Sequence, residues 1–278
     1  MKKAINLWAF PKDYPLEKCL DLVKDAGFEG VEFVVEEGRI SPGEKEESLE
    51  RIRKEAEERG LSIPSVATGL LWEYPLTSSD KEKRRRGEEI VSDMLRIAKV
   101  LGADTILVVP GAVNIPWIPE SEKVPYELAL KRARESLEKV VGKAEELEVN
   151  IGIENVWNRM LLSPLEFRDF IAEFGSPYLG AYFDVGNVVL TGFPEDWIRI
   201  LKDKIKKVHL KDFRVSIGNI EGFVGLLEGD VNWEEVIKAL EEVEYRDFLV
   251  AEVFPYKFYP EAQIYKTSLS MDYILRRR

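Results

Sequence analysis

The stretch Ile205–Arg214, IKKVHLKDFR, contains His209, the only histidine among the 278 residues of the chain. Apolar and β-branched residues precede this histidine, and a charged run that begins at Lys211 follows it. This profile is typical of a short buried strand that leads into a polar loop. A single histidine on an apolar strand is more often a core residue than a ligand, so its interpretation depends on the other strands.

Three other predicted strands end in the same way, with one carboxylate where apolar sequence gives way to polar sequence. These carboxylates are Glu154 in VNIGIENVWN, Asp184 in GAYFDVGN and Glu252 in FLVAEVF. A buried carboxylate is costly unless it is paired or binds a metal. Three carboxylates and one imidazole at equivalent strand ends therefore predict one shared cation. Four independent salt bridges or loop caps at these positions are the alternative.

Strand-like and helix-like segments alternate eight times, which is typical of a parallel sheet covered by helices on both faces. The predicted strands span 4–10, 30–36, 61–68, 103–110, 149–155, 179–185, 207–212 and 247–254. The predicted helices span 15–26, 44–59, 79–101, a segment ending at 147, 163–174, 194–202, 232–243 and 265–278. Eight units of about 35 residues match the usual size of a (β/α)₈ barrel, which is about 250 residues.

We therefore predict an α/β fold, a (β/α)₈ TIM barrel that forms a single domain over residues 1–278. A doubly wound open sheet is the competing architecture, and it is disfavoured because no glycine-rich phosphate turn follows the first predicted strand. Active sites of TIM barrels lie at the carboxyl ends of the strands. Glu154, Asp184, His209 and Glu252 end strands five to eight, so we expect them to be neighbours around half of the ring.

The composition narrows the classes of partner and location. The net charge of −11 disfavours nucleic acid, and the basic run at 81–86 is expected to be a solvated helix face. The single cysteine, Cys19, reads as a core residue in a reducing, cytoplasmic protein, and we expect neither a signal peptide nor a membrane span. A charged fraction of 33% with a single glutamine, Gln263, predicts a thermophilic source.

The ligand types also predict the metal. Three carboxylates and one imidazole form a site of mostly hard oxygen donors. Such a site suits Mn²⁺ best, with Mg²⁺ or Co²⁺ able to substitute and Zn²⁺ less favoured.

Together with the four strand-end residues, the motifs DVGN at 184–187, HLKD at 209–212 and GDVNW at 229–233 resemble those of the sugar and sugar-phosphate isomerase/epimerase family of xylose isomerase-like TIM barrels. This family includes D-tagatose 3-epimerase, L-ribulose-5-phosphate 3-epimerases and hydroxypyruvate isomerase, and the resemblance spans essentially the whole chain. It implies that Glu154 and Glu252 are an acid/base pair as well as metal ligands. Asp184 and His209 would complete the metal site.

The implied reaction is epimerisation of a ketose or ketose phosphate next to its carbonyl. Removing that proton leaves an enediolate, which a divalent cation stabilises as a Lewis acid. An aldose–ketose isomerase or a dehydratase would use the same intermediate. Alternatives from other classes are an abasic-site DNA endonuclease, which would need more histidines and a basic groove, and a non-catalytic sugar-binding barrel. A homo-oligomer is compatible with the sequence.

Five further residues are candidate substrate contacts. Asn187 stands where some family members carry a histidine, and it can bind a sugar hydroxyl but cannot shuttle protons near neutral pH. Trp8 and Trp157, like Trp72 and Trp117, lie near predicted strand ends, where they either pack on sugar carbons or fill the rim. Lys211 and Arg214 either bind substrate or pair with Asp212 or Glu36. The glycine-punctuated loop 218–229 is expected to be a mobile lid.

Overall fold

Eight parallel strands close into a barrel in the computed structural model, which describes residues 1–277. The strands of the chain are Lys2–Asn6 (β1), Gly30–Val34 (β2), Ser65–Ala67 (β3), Thr105–Val108 (β4), Asn150–Glu154 (β5), Leu179–Asp184 (β6), Ile205–Leu210 (β7), Asp212–Phe213 (β8), Phe223–Val224 (β9) and Phe248–Ala251 (β10). Around the ring the order is β1-β10-β7-β6-β5-β4-β3-β2, while β8 and β9 form a separate antiparallel hairpin.

Amphipathic helices follow the barrel strands. They are Leu16–Asp25 (α1), Glu46–Glu58 (α2), Lys81–Leu101 (α3), Tyr126–Leu147 (α4), Pro164–Ala172 (α5), Pro194–Leu201 (α6), Trp233–Glu242 (α7) and Pro260–Ile274 (α8). The helix α1 illustrates the pattern, because Cys19, Leu20 and Val23 are buried on one face. Cys19 is therefore a core residue, as the sequence predicts.

Closure of the ring confirms the predicted TIM barrel. Strand β1 pairs in parallel with both β2 and β10, so the sheet closes on itself and has no edge strands, which a doubly wound open sheet would have. The strands read as almost continuous apolar runs because both faces of the sheet are buried. Strand β4, TILV, and strand β10, FLVA, contain only buried residues.

The paired register brings the carboxyl ends of consecutive strands to one level. Glu154 of β5 lies opposite Tyr182 of β6, and Asp184 lies opposite His209 of β7. Gly152 makes this arrangement possible, since a Cβ atom there would lie only 2.9 Å from the Cβ of Tyr182. The large ring of Tyr182 is fully buried as a result.

Several predicted boundaries differ from the structure, and two of these differences have a clear local cause. The first strand ends at Asn6 rather than at residue 10, because the Asn6 side chain accepts a hydrogen bond from Trp8 N and starts a 3₁₀ turn. The last helix begins at Pro260 rather than at residue 265, since proline is favoured in a first helical turn. Its predicted end at Arg278 lies outside the described residues. The loop predicted as a lid contains part of the β8–β9 hairpin.

The basic run at 81–86 opens helix α3, as predicted, and two of its three arginines form ion pairs. Arg85 forms ion pairs with Glu82 and Glu89, and Arg86 forms one with Glu89. Over residues 1–277, no helix combines the length and apolar character needed to cross a membrane.

Candidate active site

Four side chains from consecutive barrel strands converge at the carboxyl end of the barrel. Glu154 ends β5, Asp184 ends β6, His209 lies one residue before the end of β7, and Glu252 directly follows β10. Each offers a ligand atom, and these atoms all lie within 4.8 Å of one another. All four residues are buried, with exposed fractions of 7% or less. The structure thus brings together the four residues that the strand-end pattern singles out.

Two buried atoms in this cluster lack hydrogen-bond partners, namely Asp184 Oδ2 and His209 Nδ1. His209 Nδ1 lies 2.8 Å from Glu252 Oε2 and 4.0 Å from Asp184 Oδ2, but neither contact has the alignment of a hydrogen bond. Buried polar atoms without partners are rare in proteins. Three carboxylates and one imidazole with ligand atoms within 4.8 Å of one another, two of these side chains carrying a buried atom without a hydrogen bond, fit a divalent cation.

Lys211 contributes the one cationic side chain that contacts the cluster among residues 1–277. Its Nζ atom lies 2.8 Å from Glu252 Oε1, 3.2 Å from Asp184 Oδ2 and 3.9 Å from Glu154 Oε1. Burial lowers the pKa of Lys211, but the three carboxylates outweigh burial and raise it above its ordinary value. The ammonium group is therefore committed to these carboxylates rather than to the neighbouring Asp212.

The pKa values of Glu154 and Glu252 are shifted in opposite directions. Burial raises the pKa of Glu154, and the charges of Glu252 and Asp184 raise it further, against the opposing charge of Lys211. Burial would also raise the pKa of Glu252, but the positive charges of Lys211 and His209 beside it lower the pKa below the ordinary value. In this site one carboxylate thus favours the protonated form and the other the ionised form.

Glu32, on strand β2, is a buried site residue that the strand-end pattern does not find. Its Oε2 atom lies 2.8 Å from His209 Nε2, and its Oε1 atom accepts a hydrogen bond of 2.6 Å from Ser65 Oγ. Tyr182 and Asn6 also donate to this carboxylate. These contacts join strands on opposite sides of the ring, so the network lies inside the barrel. A carboxylate on one nitrogen of a histidine fixes which way the other nitrogen faces.

The same network affects the charge on the imidazole. Burial lowers the pKa of His209, but the negative charges of Glu32 and Glu252, together with the hydrogen bond to Glu32, outweigh burial and raise it well above 6.5. The only sequence signal for Glu32 is a charged residue in the middle of the apolar run GVEFVVE at 30–36.

Two asparagines hold the carboxylates in place. Asn155 donates to Asp184 O and accepts from Asp184 N, each at 2.8 Å, which ties the ends of β5 and β6 together. Asn187 donates to Glu154 Oε1 at 3.2 Å, and its backbone N donates to Asp184 Oδ1 at 2.9 Å. Sequence reasoning selects Asn187 as a substrate contact but does not find Asn155.

A cavity of about 550 Å³ opens onto the cluster. Its polar lining includes Glu154, Glu252, Asn187 and Lys211. The tryptophans Trp8, Trp72, Trp117 and Trp157 also line it. The Trp157 ring is fixed, because its Nε1 donates to Asn187 O at 2.8 Å and the ring contacts those of Phe213 and Phe223. Trp8 Nε1 lies 3.4 Å from Glu36 Oε2.

A second cavity, of about 570 Å³, shares part of its wall with the first, including Trp117, Trp157 and Ile220. Arg159, Leu161 and other residues line only this second cavity. Arg214 lines neither cavity, because its guanidinium turns outward and donates from Nε to Glu228 O at 2.8 Å. The Arg214 side chain, predicted to contact substrate, therefore does not face either cavity.

Residues 20–275 match the family described as xylose isomerase-like TIM barrel, and the chain belongs to that family. The chain is 27% identical over 264 residues to an Escherichia coli (strain K12) protein provisionally named L-ribulose-5-phosphate 3-epimerase SgbU, covering 90% of this chain and 87% of the relative. It is 24% identical over 258 residues to the L-ribulose 3-epimerase of Mesorhizobium japonicum, covering 91% and 80%.

Among solved structures, the fold is similar to that of D-psicose 3-epimerase from Clostridium cellulolyticum H10, crystallised with D-tagatose. The TM-score is 0.82 at 16% sequence identity, and 99% of each chain is covered. This similarity supports the barrel architecture. Together with the family match, it confirms the resemblance inferred from the strand-end residues.

Proposed function

We propose that this protein is a divalent-metal-dependent epimerase that acts next to the carbonyl of a ketose or ketose phosphate. The observation that carries the proposal is the convergence of Glu154, Asp184, His209 and Glu252 within 4.8 Å at the carboxyl end of the barrel. The names of two aligned relatives, as 3-epimerases of L-ribulose or its 5-phosphate, support the same reaction type, whereas two others are named inosose dehydratases.

In this proposal all four residues would hold the cation, with Mn²⁺ favoured over Mg²⁺ and Co²⁺, and Zn²⁺ least suited. A bound cation would supply Lewis-acid stabilisation to the negative charge that develops when the substrate loses its proton. The indole rings of Trp8 and Trp157 would face the sugar carbons. Asn187 and Lys211 would bind or orient substrate oxygens from the same wall.

Epimerisation also needs two groups that exchange a proton with opposite faces of one carbon. Glu154 and Glu252 would fill these roles, because they come from strands three positions apart in the ring and both line the cavity. One glutamate would take the proton to leave an enediolate. The other would return a proton to the opposite face, which inverts the stereocentre.

The test follows proton exchange in heavy water. We expect the Mn²⁺-loaded enzyme to place deuterium at C3 of a ketose such as L-ribulose or D-tagatose, and to form the C3 epimer, both seen by proton NMR. Glu154→Gln and Glu252→Gln should each lower epimerisation by about 10²- to 10⁴-fold. Each variant should still replace the C3 proton of one epimer with deuterium from the solvent, without inverting C3. The two variants should do so on opposite epimers.

Glu29→Gln is the matched control, because Glu29 lies outside the cavity and pairs with Arg277. It should leave epimerisation and exchange unchanged. Appearance of an aldose would favour an isomerase, and loss of water a dehydratase. Cleavage of a DNA duplex at an abasic site would overturn the proposal, and so would sugar binding without exchange across a broad ketose panel, which indicates a non-catalytic barrel.

A further inference from the structure

The charges in the cavity wall bear on whether the substrate is a free ketose or a ketose phosphate. We propose that the substrate is an unphosphorylated ketose, an inference that rests on the proposed epimerase function. Proteins bind phosphate with guanidinium or ammonium groups, or with free backbone N–H groups at helix N-termini and turns. Around the cavity, the ammonium group of Lys211 and many of the loop N–H groups already have partners within the protein.

The one ammonium group in the wall of the first cavity, that of Lys211, already has carboxylate partners among the described residues. Lys211 is the one lysine or arginine in that wall among residues 1–277, and its ammonium lies within 3.9 Å of three carboxylates. Glu154, Glu252 and Glu221 line the same wall. Glu154 and Glu252 would hold the proposed metal ion, so a phosphate monoester, which carries a charge of about −2 at neutral pH, would meet the further carboxylate of Glu221 and no second lysine or arginine in this wall among the described residues.

The loop after β7 is where many TIM barrels bind phosphate through backbone N–H groups. In this chain the Asp212 carboxylate accepts hydrogen bonds from backbone N–H groups of that loop. Its Oδ1 atom accepts from Phe213 N at 2.9 Å and Val231 N at 3.2 Å, while Oδ2 accepts from Leu227 N at 2.9 Å and Trp233 Nε1 at 3.2 Å. The Asp212 side chain has an exposed fraction of 1%. Its carboxylate therefore occupies, from within the protein, the place where these N–H groups would otherwise bind a phosphate.

Two further carboxylates in the same loop act in the same way. Asp230 accepts from Val215 N at 2.7 Å, and Glu228 accepts from Gly225 N at 3.1 Å. Glu228 also pairs with Lys266, and Arg214 donates to the Glu228 carbonyl. Arg214 and Lys266, the two cationic side chains that contact Glu228, thus already have partners within the protein.

Other N–H groups near the mouth of the barrel are likewise capped by the chain itself. In each case a side-chain oxygen two or three residues earlier accepts the bond. The pairs are Asn6 with Trp8 N, Thr68 with Leu70 N, Asn158 with Met160 N, Asp184 with Asn187 N and Asn219 with Glu221 N.

What the wall does offer suits a neutral sugar. Four tryptophans and Phe223 present aromatic faces, on which the C–H groups of a sugar pack without charge. The volume of about 550 Å³ lies within the range of about 300–1,000 Å³ that is usual for small-molecule sites. Arg159 is the one guanidinium that lines the second cavity among the described residues, so the test must include it.

The test compares each free ketose with its own phosphate on the Mn²⁺-loaded enzyme, using L-ribulose with L-ribulose 5-phosphate and D-fructose with D-fructose 6-phosphate. We expect kcat/KM to favour the free sugar by about 100-fold, the usual cost of a mismatched polar group in a closed site. Equal or better turnover of the phosphate would overturn the inference while leaving the epimerase proposal intact.

Binding is measured independently of turnover by quenching of tryptophan fluorescence, since four tryptophans line the cavity. If neither substrate form exchanges deuterium at C3, the epimerase proposal fails. Tighter binding of the free sugar would still support its assignment as the ligand, whereas tighter binding of the phosphate, or no binding of either, would overturn that assignment.

Two variants sharpen the comparison. Ile220→Arg places a guanidinium on an exposed residue in the wall that both cavities share, and it should raise kcat/KM for the phosphate relative to the free sugar by at least about 10-fold. Arg159→Ala should leave the ratio between the two substrates unchanged. A selective loss of the phosphorylated substrate in Arg159→Ala would show that the second cavity binds phosphate, and would overturn the inference.

Discussion

The Oε2 atom of Glu32 lies 2.8 Å from the Nε2 atom of His209, and neither side chain is exposed to solvent. The two residues are 177 positions apart in the chain, on β2 and β7. Because Nε2 is engaged by this carboxylate, Nδ1 is the nitrogen that faces Glu252 and Asp184. Glu32 thus acts through His209 and is a positioning residue for the proposed metal site.

We predict that Glu32→Gln weakens metal binding. Loss of the carboxylate would leave the imidazole ring less firmly oriented, and such changes typically lower metal affinity by about 10- to 100-fold. Isothermal titration with Mn²⁺ measures the affinity, and the melting of the metal-free protein reports whether the fold is retained. Tyr182→Phe is the matched control, because it removes another donor to Glu32 and leaves the contact with His209 in place. Unchanged Mn²⁺ affinity in Glu32→Gln would contradict the positioning role.

The comparison of Glu32 with Glu252 shows how far the sequence predicts this site. Glu252 is found because it stands where apolar sequence ends, and a parallel barrel brings all such positions to one rim. Glu32 lies within an apolar run, and its partners come from strands distant in sequence, so no local pattern marks it. Periodicity thus predicts the order of strands and helices, but not which buried groups pair across the barrel.

Loop structure is predicted less well for a similar reason. The sequence shows glycines between 218 and 229 but not the hairpin β8–β9, which depends on Gly222. A Cβ atom there would lie 2.6 Å from the ring of Phe213. Likewise, Arg214 looks like a substrate contact until the structure shows that it binds Glu228 O. In both cases a tertiary contact decides the outcome.

The pair of hydrogen bonds between Asn155 and the backbone of Asp184 predicts a large effect on stability. Asn155→Ala would leave the N–H and C=O groups of Asp184 buried without partners, at a cost of about 1–3 kcal/mol for each unsatisfied group. Urea unfolding of the metal-free protein measures this loss. Asn219→Ala, which removes an exposed cap, should cost at most about 1 kcal/mol. Equal losses in the two variants would show that the Asn155 bonds contribute little.

Metal loading should stabilise the folded protein. Ions that bind only the folded state add about 2.7 kcal/mol at a concentration of about 100 times Kd, and a cation would also relieve the repulsion among the three buried carboxylates. We expect Mn²⁺ to raise the melting temperature and a chelator to reverse the increase. After chelation, Mn²⁺ and Co²⁺ should restore more activity than Zn²⁺.

Asp184→Asn provides the comparison for this experiment, since it keeps the size of the side chain and removes one charge from the cluster. We expect Mn²⁺ to raise the melting temperature of this variant much less than that of the natural protein. A response equal to that of the natural protein would place the ion elsewhere.

Tyr126 provides a test of pH dependence away from the metal cluster. Its hydroxyl donates to Glu166 at 2.7 and 2.8 Å and accepts from Leu161 N at 3.1 Å, which anchors the segment that lines the second cavity. Burial, followed by the hydrogen bond to Glu166, raises the pKa of Tyr126 from 10.0 to about 12. The folded state therefore retains the proton more strongly than the unfolded state.

The sign of the effect follows from this upward shift of the Tyr126 pKa. Its contribution to stability should be complete below pH 10 and should be lost as the pH rises toward about 12. We expect the difference in unfolding free energy between the natural protein and Tyr126→Phe to stay constant from pH 8 to 10 and then to shrink, as measured by urea unfolding. Tyr259→Phe, which removes a phenol that is 83% exposed, should show no such change. A difference that grows above pH 10 would mean that the ionised phenolate, rather than the phenol, is the form that the folded protein prefers.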